Sequence, residues 1–347
     1  MHVTLQDVAQ FAGVSAKTVS RVVNNQGEIS PATRERVQAA IDQLGYQPNY
    51  LARSLVSQRS HTLAVIASGL QYFGPSHILT GIEQQACVQD YSLLFNLIPS
   101  PDEAPSRHLL DMLVARRVEG ILWAVPEIGG NRDWIGPETL DHLPPIVFIS
   151  MARRDDLAII SVDNAMGAQR AVEHLIQTGR RRIGLLNGPM LWWEARERDA
   201  GVRRALRQAG LSLESQGLAE GDWSAASGKR GMETILARAP ALDAVFVAND
   251  QMALGAYASL LRAGRRIPDD VAVVGFDNTA ESSCYLPPLT TIEQRLAEVG
   301  QLAVKVLLGE ALSGPDGEDE GQPPGMTLLP ALIVRESTTG RKAGTQN

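Results

Sequence analysis

The sequence has few of the features that mark secreted or membrane-bound proteins. It holds only two cysteines in 347 residues, Cys87 and Cys284, so a disulfide framework is not expected. No apolar run reaches the roughly 18 residues that a membrane-spanning helix needs. The first ten residues contain neither the basic region nor the apolar region of a signal peptide. We therefore expect a cytoplasmic protein with no membrane partner.

Motifs of common enzymes are missing as well. The sequence contains no G-x-G-x-x-G, G-x-S-x-G or H-E-x-x-H pattern. Residues 221–229 come nearest to a phosphate-binding loop, but the spacing is too long and Arg230 stands where Ser or Thr is required. The six histidines are scattered, with no pair at the spacing of metal ligands. These absences indicate a protein that is not an enzyme and has no metal or cofactor.

Charge is unevenly distributed along the chain. The formal net charge is −7, but residues 1–60 hold six of the 32 basic residues and only four of the 39 acidic ones. Charges are screened over roughly 8 Å at physiological ionic strength. Acidic residues far away would therefore have little electrostatic effect on a basic face of a small separate domain. A chain of this length accommodates two or three domains. The acidic total therefore does not exclude nucleic-acid binding by the N-terminal segment.

Three short helices are predicted in the first 46 residues. Thr4, followed by Asp7, is a variant of the capping box. Ser15 begins a second helix, and Ser30-Pro31 opens a third with proline at the position that tolerates it best. Two helices joined by the short turn 13–15 have the spacing of a helix-turn-helix. In that motif the second helix enters the major groove of DNA.

The outward face of the second helix separates two interpretations. Short valine-rich helices also occur as ordinary core elements, which would present acidic and basic residues together. Here the outward positions are Ala16, Lys17, Ser20 and Arg21, and no acidic residue lies between residues 16 and 23. This face favours binding to double-stranded DNA.

Residues 3–24 and 33–49 resemble the head of the LacI/GalR repressor family, through VTLQDVA, AGVS, TVSRVVN, TRERV and LGYQPN. The resemblance implies that Ala16, Lys17 and Arg21 occupy base-reading positions. Arg21 is suited to bidentate contact with a guanine edge, and Ala16 offers only apolar contact. Side chains with hydroxyl or amide groups nearby are expected to position the DNA phosphates. These candidates are Thr4, Ser15, Thr18 and Asn24.

The amphipathic segment 49–55 is either a plain linker with a turn of helix or, by the same resemblance, a hinge helix. In the family, two hinge helices pair in the dimer and wedge a leucine into the minor groove. Asn49, Ala52 and Leu55 are the expected DNA-contacting residues, with Leu55 as the wedge. A wedge that bends DNA needs both hinges in place, so this segment would couple the head to the core.

From about residue 61, seven apolar runs alternate with helical stretches, at 63–67, 93–97, 121–125, 146–149, 183–186, 245–248 and 271–276. Runs that are apolar throughout suit parallel strands covered on both faces, and their alternation with helices implies βαβ units. The predicted fold is therefore an all-α helix-turn-helix head and a two-lobed α/β core that resembles periplasmic sugar-binding proteins. The expected domains are 1–47 for the head, 48–60 for the hinge helix and linker, 61–339 for the core and 340–347 for a polar tail.

Four side chains near the ends of second-half strands suit a sugar: Arg198, Trp223, Asn249 and Asp277. An aromatic face can pack on a sugar ring while charged and amide groups bind its hydroxyls. Each of these residues also has a structural explanation when it is considered alone. Trp223 could belong to the hydrophobic core, Arg198 could be a solvated charge on a helix, and Asn249 and Asp277 could be helix caps or turn residues. Ligands bind α/β sheets at the carboxyl ends of the strands, and this convergence favours a binding site.

The family resemblance extends to about residue 339 and implies the same four ligand contacts, with Ser68 added from the first lobe. Two positions depart from the expected pattern. Ser150 stands where an aspartate would contact the sugar, and Ala124 where an asparagine would. Ser150 remains a candidate ligand contact, but the first-lobe half of the pocket differs. The effector is therefore a galactoside or another sugar or glycoside.

Residues 314–325 are rich in Gly, Pro and acid, which is typical of a surface loop, and no apolar heptad follows residue 338. We therefore expect a homodimer on a pseudo-palindromic operator. The predicted function is a repressor of a sugar-utilisation operon that a small-molecule sugar releases from DNA. A corepressor would use the same architecture. A sugar-transport protein would explain only the core, and an enzyme would have to rely on Asp250 and Asp277.

Overall fold

The chain divides into two units, residues 1–61 and residues 62–347. The computed structural model describes residues 3–23, 27–46, 59–99, 101–213, 217–310 and 325–339. The predicted hinge segment, with Asn49, Ala52 and Leu55, lies outside the described residues, as do Asn24 and the tail 340–347. The domain bounds and the roles of these segments therefore stay predictions.

The described part of the N-terminal unit contains the three predicted helices, α1 (Leu5–Ala12), α2 (Ala16–Val23) and α3 (Pro31–Leu44). Thr4 and Asp7 cap α1 reciprocally: the Thr4 amide donates to Asp7 Oδ2 at 2.8 Å, and the Asp7 amide donates to Thr4 Oγ1 at 3.3 Å. Gly13 ends α1 in the left-handed conformation, with φ of +64°, which glycine adopts without strain. These local signals fix the turn between α1 and α2.

A small apolar core holds the three helices together. Val8, Val19 and Val37, one from each helix, are fully buried and belong to the same apolar cluster. Each helix is too short to be stable alone, so this packing is what maintains the arrangement. The predicted all-α helix-turn-helix head is confirmed.

The first lobe of the larger unit is a parallel sheet with helices around it. Its strands are β1 (Thr62–Ala67), β2 (Ser92–Leu97), β3 (Gly120–Ala124), β4 (Ile146–Ile149), β5 (Ala158–Val162) and β11 (Met326–Leu328), in the order β11-β5-β4-β3-β1-β2. Its helices are α4 (Phe73–Val88), α5 (Arg107–Ala115), α6 (Pro137–Leu140) and α11 (Leu296–Leu307). Every residue of β3 is buried, as a central parallel strand requires.

The second lobe has its own four-stranded parallel sheet, in the order β7-β6-β8-β9. The strands are β6 (Ile183–Asn187), β7 (Leu218–Glu220), β8 (Ala244–Val247) and β9 (Ala272–Val274). The helices are α7 (Asn164–Gln177), α8 (Trp193–Gln208), α9 (Ala225–Arg238), α10 (Asp250–Arg262), a 3-10 helix (Ala280–Cys284) and α12 (Glu336–Thr339). An antiparallel pair, β10 (Thr291–Glu293) and β12 (Ala331–Ile333), lies beside α7.

The chain passes between the lobes more than once. After the second-lobe sheet it returns to the first lobe as α11, which packs on α4 so closely that a Cβ on Gly81 would stand 1.9 Å from the Ala297 carbonyl oxygen. Strand β11 then joins the first-lobe sheet, and β12 and α12 go back to the second lobe. These crossings bring residues from distant parts of the sequence to the space between the lobes.

All seven predicted apolar runs contain a strand, and the two-lobed α/β core is confirmed. Five strands were not predicted: β5, β7, β10, β11 and β12. Four of these have only three residues, too few to form a recognisable apolar run. Along the described ranges, the helices are all too short or too polar to cross a membrane.

Candidate functional site

A cavity lies between the two lobes, with about 710 Å³ of space including the part open to solvent. The first lobe lines it mainly with apolar side chains, among them Tyr72, Phe73, Ile78, Ala124, Ile149 and Val162. The second lobe contributes mainly polar groups, among them Asn164, Glu194, Arg198, Asn249, Gln251 and Asp277. The cavity is therefore apolar on one side and rich in hydrogen-bonding groups on the other.

Five of the six predicted ligand-binding residues line this cavity: Ser150, Arg198, Trp223, Asn249 and Asp277. Ser68 is the exception. It follows β1 and is 3% exposed, but it is not among the described residues that form the cavity wall. Ala124, one of the two departures from the expected pattern, lines the cavity as an apolar residue.

Arg198 is the central basic residue of the cavity. Its Nε donates to Asn164 Oδ1 at 2.8 Å, and its Nη1 donates to the Ala248 carbonyl oxygen and lies 3.9 Å from Asp277 Oδ1. The guanidinium carbon stands 3.8 Å from the centroid of the Phe276 ring, a cation–π geometry. At 5% exposure, Arg198 is not a solvated helix charge, so that alternative is wrong.

Asp277 faces Arg198 from the end of β9. Its backbone has φ of +122°, outside the range that non-glycine residues normally adopt. Gln294 Nε2 donates to Asp277 Oδ1 at 2.5 Å. Burial raises the pKa of Asp277 to about 6, although Arg198 and the Gln294 hydrogen bond act in the opposite direction. Asp277 is thus a hydrogen-bond acceptor that Gln294 fixes in position, and its negative charge is balanced mainly by Arg198.

Asp250 lies behind Asp277 and is fully buried. Its Oδ1 accepts a hydrogen bond from Thr291 Oγ1 at 2.6 Å, and its Oδ2 accepts one from the Thr279 amide at 2.9 Å. Burial and the nearby Asp277 raise the pKa of Asp250 to about 8. Both carboxyl oxygens are engaged, which gives Asp250 a structural task in fixing the segment between β9 and β10.

Trp223 forms the aromatic part of the second-lobe wall. Its backbone is left-handed, with φ of +70°, and its ring makes an edge-to-face contact with Trp192 at 5.8 Å between centroids. Its buried indole N–H has no hydrogen-bond partner among the described residues. Trp223 also belongs to the second-lobe core cluster. The core explanation and the site explanation are therefore compatible.

Asn249 likewise combines two tasks. Its Oδ1 accepts a hydrogen bond from the Met252 amide at 2.8 Å and caps α10, which is the structural role considered for Asn249 from the sequence. Its Nδ2 donates to the Trp223 carbonyl oxygen at 3.0 Å. This second bond ties the cap of α10 to the turn that carries Trp223, so Asn249 positions the aromatic wall.

Several cavity residues were not predicted from the sequence, namely Tyr72, Asn164, Trp192, Glu194 and Gln294. Glu194 precedes Arg198 by four residues on α8, and the i,i+4 spacing of helices could have indicated it. Gln294 follows β10 and reaches Asp277 because Asp277 and Glu293 form a parallel bridge. No local pattern in the sequence marks this pairing.

The proposed DNA-reading face is formed by α2. Lys17 and Arg21 are exposed, while Ala16 and Ser20 are half-buried. Two of the candidate phosphate contacts take part in helix caps: Ser15 Oγ accepts from the Thr18 amide at 3.1 Å, and the two hydroxyls lie 2.9 Å apart. Thr4 caps α1. The structure therefore places these groups at helix N-termini, where backbone N–H groups also attract phosphate.

Comparison with known proteins covers both units. Residues 4–49 match the lacI family of bacterial regulatory proteins, and residues 172–338 match the periplasmic binding protein-like domain. The lactose operon repressor of Escherichia coli (strain K12) is 36% identical over 341 residues, which are 97% of this chain and 91% of that protein.

Two solved structures resemble the whole chain. A lac repressor dimer bound to operator and the anti-inducer ONPF has a TM-score of 0.83 at 32% identity, over 98% of this chain and 100% of that one. A complex of the transcriptional regulator CelR with cellobiose has a TM-score of 0.68 at 32% identity, over 97% and 100%. With its helix-turn-helix head, its two-lobed core and this degree of identity, the chain belongs to the lacI family of bacterial regulatory proteins.

Proposed function

We propose that this protein is a sequence-specific transcriptional repressor that binds a pseudo-palindromic operator as a homodimer and is released by an uncharged sugar or glycoside. The observation that carries the proposal is the cavity between the lobes, in which Arg198, Asp277 and Trp223 converge. Operator DNA in the bacterial cytoplasm and a small-molecule sugar are then its two ligands.

The DNA half of the proposal rests on α2. Its exposed Lys17 and Arg21 are one turn apart on a helix that follows a tight turn, as in helix-turn-helix proteins that read base edges. A related lac repressor binds operator as a dimer. Two heads related by a two-fold axis would bind half-sites about one helical turn apart.

The sugar half rests on complementary chemistry in the cavity. Hydroxyl groups both donate and accept hydrogen bonds, and the second-lobe wall offers carboxylate, guanidinium and amide groups together. The ring of Trp223 supplies an apolar face, as sugar rings require. The related CelR was solved with cellobiose, and we extend this class of ligand, a sugar or glycoside, to the present chain.

Charge favours a neutral ligand over a sugar phosphate. Arg198 is the one basic side chain among the described residues of the cavity wall. Its guanidinium is already engaged by Asn164, the Ala248 carbonyl and Asp277. A phosphate group would need further cationic partners, and it would meet the carboxyl groups of Glu194 and Asp277.

Release of DNA would follow from the position of the sugar between two lobes that the chain connects several times. A ligand that contacts both lobes biases their relative orientation, and we propose that this disfavours the paired hinge helices. Linkage then requires operator to weaken sugar binding by the same factor that sugar weakens operator binding. A corepressor would act through the same cavity with the opposite sign.

The test starts with full-length protein and a palindromic operator selected from a random DNA pool. Fluorescence anisotropy of the labelled operator is followed at fixed salt during titration with lactose, cellobiose, their monosaccharides and glucose 6-phosphate. Release by one neutral sugar is the expected result. Tighter binding would identify a corepressor instead, and conversion of any sugar during the incubation would point to an enzyme. Release by glucose 6-phosphate alone would overturn the preference for a neutral ligand.

A further inference from the structure

We propose that Glu194 is the specificity-determining residue of the effector site, selecting sugars that place a hydroxyl group at the N-terminal end of α8. The inference rests on the proposed function and assigns one step of sugar recognition to a residue of the second lobe. It concerns which sugar is accepted, whereas Arg198 and Asp277 serve any polyol.

Glu194 lies in the first turn of α8 and lines the cavity. Its Oε2 is buried, yet it has no hydrogen-bond partner among the described residues. Buried polar atoms in folded proteins are nearly always paired, because an unpaired one loses its hydration without compensation. Asp277 differs in this respect, since Gln294 donates to it and Arg198 lies beside it. Glu194 therefore has hydrogen-bonding capacity left for a ligand.

The charged neighbours of Glu194 are Arg198, Glu127 and Arg132, and they do not use that capacity. Arg198 donates its hydrogen bonds to Asn164 and to the Ala248 carbonyl oxygen. Glu127 is itself engaged, with Oε1 3.0 Å from Arg196 Nη2 and Oε2 accepting from the Ala152 amide at 2.8 Å. Arg132 donates from Nη2 to the Val125 carbonyl oxygen, while its Nε and Nη1 have no partner within the described parts of the chain. Arg132 thus acts on Glu194 by its charge but does not saturate the carboxyl oxygen.

The protonation state of Glu194 suits a hydroxyl group. Burial raises the pKa of Glu194 to about 7, so near neutral pH its carboxyl group can accept a hydrogen bond or donate one. A hydroxyl can do the same. Trp223, on the same wall, has a buried N–H donor without a partner in the described ranges. One unused acceptor and one unused donor together match a polyol.

The first-lobe wall of the cavity explains why Glu194, and not a residue opposite it, would discriminate between sugars. The first-lobe residues Ala124, Ile149 and Val162 that face the cavity are apolar, and the side-chain hydroxyl groups among its described lining residues are those of Tyr72 and Ser150. An apolar wall discriminates weakly between sugars that differ only in one hydroxyl group. A site that hydrogen-bonds to that hydroxyl binds sugars that lack it much more weakly.

Isothermal titration of full-length Glu194→Ala and Glu194→Gln tests the proposal. The probes are lactose, cellobiose, their monosaccharides, and single-deoxy analogues of whichever sugar the natural protein binds. Glu194→Ala is expected to bind the parent sugar about 10- to 100-fold more weakly, as for loss of a hydrogen bond to a charged or strongly polar group. Its affinity for one deoxy analogue should match that of the natural protein, and Glu194→Gln should recover most of the parent affinity.

Glu197→Ala is the matched control, because it removes the same type of side chain from the same helix at a position that does not line the cavity. It should bind every probe as the natural protein does. Operator binding without sugar checks that each variant is folded. If Glu194→Ala does not fold, the comparison of Glu194→Gln with the natural protein provides the test.

Three outcomes would overturn the inference. Unchanged sugar affinity in Glu194→Ala means that Glu194 does not contact the ligand. Equal weakening for the parent sugar and all deoxy analogues means that it has only a structural role. Failure of the natural protein to bind any sugar refutes the proposed function and, with it, the role of Glu194.

Discussion

The indole ring of Trp223 lies directly over Gly188, so that a Cβ at position 188 would stand 2.1 Å from the Cη2 atom of the ring. Gly188 follows β6, and its own amide donates to Asn187 Oδ1 at 2.9 Å. The absence of a side chain at this strand end is what allows the tryptophan to form the cavity wall. The shape of the site thus depends on a residue that offers no group to a ligand.

Gly188→Ala is therefore expected to displace the Trp223 ring and weaken sugar binding. Overpacking of this kind destabilises by about 1–3 kcal/mol. Thermal unfolding and sugar titration measure the two effects. Gly136→Ala is the control, because a Cβ at position 136 meets nothing within 4 Å. Unchanged sugar affinity in Gly188→Ala would show that the ring position is unimportant for the ligand.

Arg21→Ala should alter base preference in the operator. If Arg21 contacts a guanine edge, its loss costs about 1–3 kcal/mol at one base position. Anisotropy titrations against a set of operators with single base changes would locate that position. Arg36→Ala removes an exposed positive charge from α3 and should leave the base preference unchanged. Uniform weakening for all sequences in Arg21→Ala would make Arg21 a phosphate contact.

Asp277→Asn should leave operator binding intact while abolishing the response to sugar. The substitution keeps the side-chain shape but removes the charge that faces Arg198 at 3.9 Å. The readout is operator anisotropy with and without the releasing sugar. Asp269→Asn, at an exposed position that does not line the cavity, is the charge-matched control. If Asp277→Asn unfolds the larger unit, the residue is structural.

The stability of the larger unit should fall as the pH rises from 6.5 to 8. Burial raises the pKa of Asp250 to about 8 and that of Glu194 to about 7. Because these carboxyls bind protons in the folded chain at pH values where the unfolded chain has lost them, raising the pH disfavours folding. For Asp250 the change over this window is on the order of 1 kcal/mol.

Urea unfolding at pH 6.5, 7 and 8 measures this dependence, and Asp250→Asn should flatten it. The window stops at pH 6.5 because burial lowers the pKa of His174, so below that pH the histidine destabilises the fold as its unfolded form gains protons. A stability that rises with pH between 6.5 and 8 would contradict the assignment of buried, partly protonated carboxyls.

How well each part of the molecule could be predicted depends on the range of the interactions that form it. The head was predicted correctly because Thr4, Gly13 and Ser30 act on backbone groups within a few residues of themselves. The long strands were predicted because burial on both faces demands apolar residues throughout. Short strands such as β7, with three residues, carry too little pattern to be recognised.

The sequence by itself determined the helix-turn-helix, the alternation of strands and helices, and the polar residues at strand ends. These features depend on capping, periodicity and residue chemistry, which are local. Only the tertiary structure decided that Gln294 holds Asp277, that Ser68 stays out of the cavity wall, and that Glu194 keeps an unpaired oxygen inside it. Each of these depends on packing between segments that are distant in the sequence, and no local pattern encodes that packing.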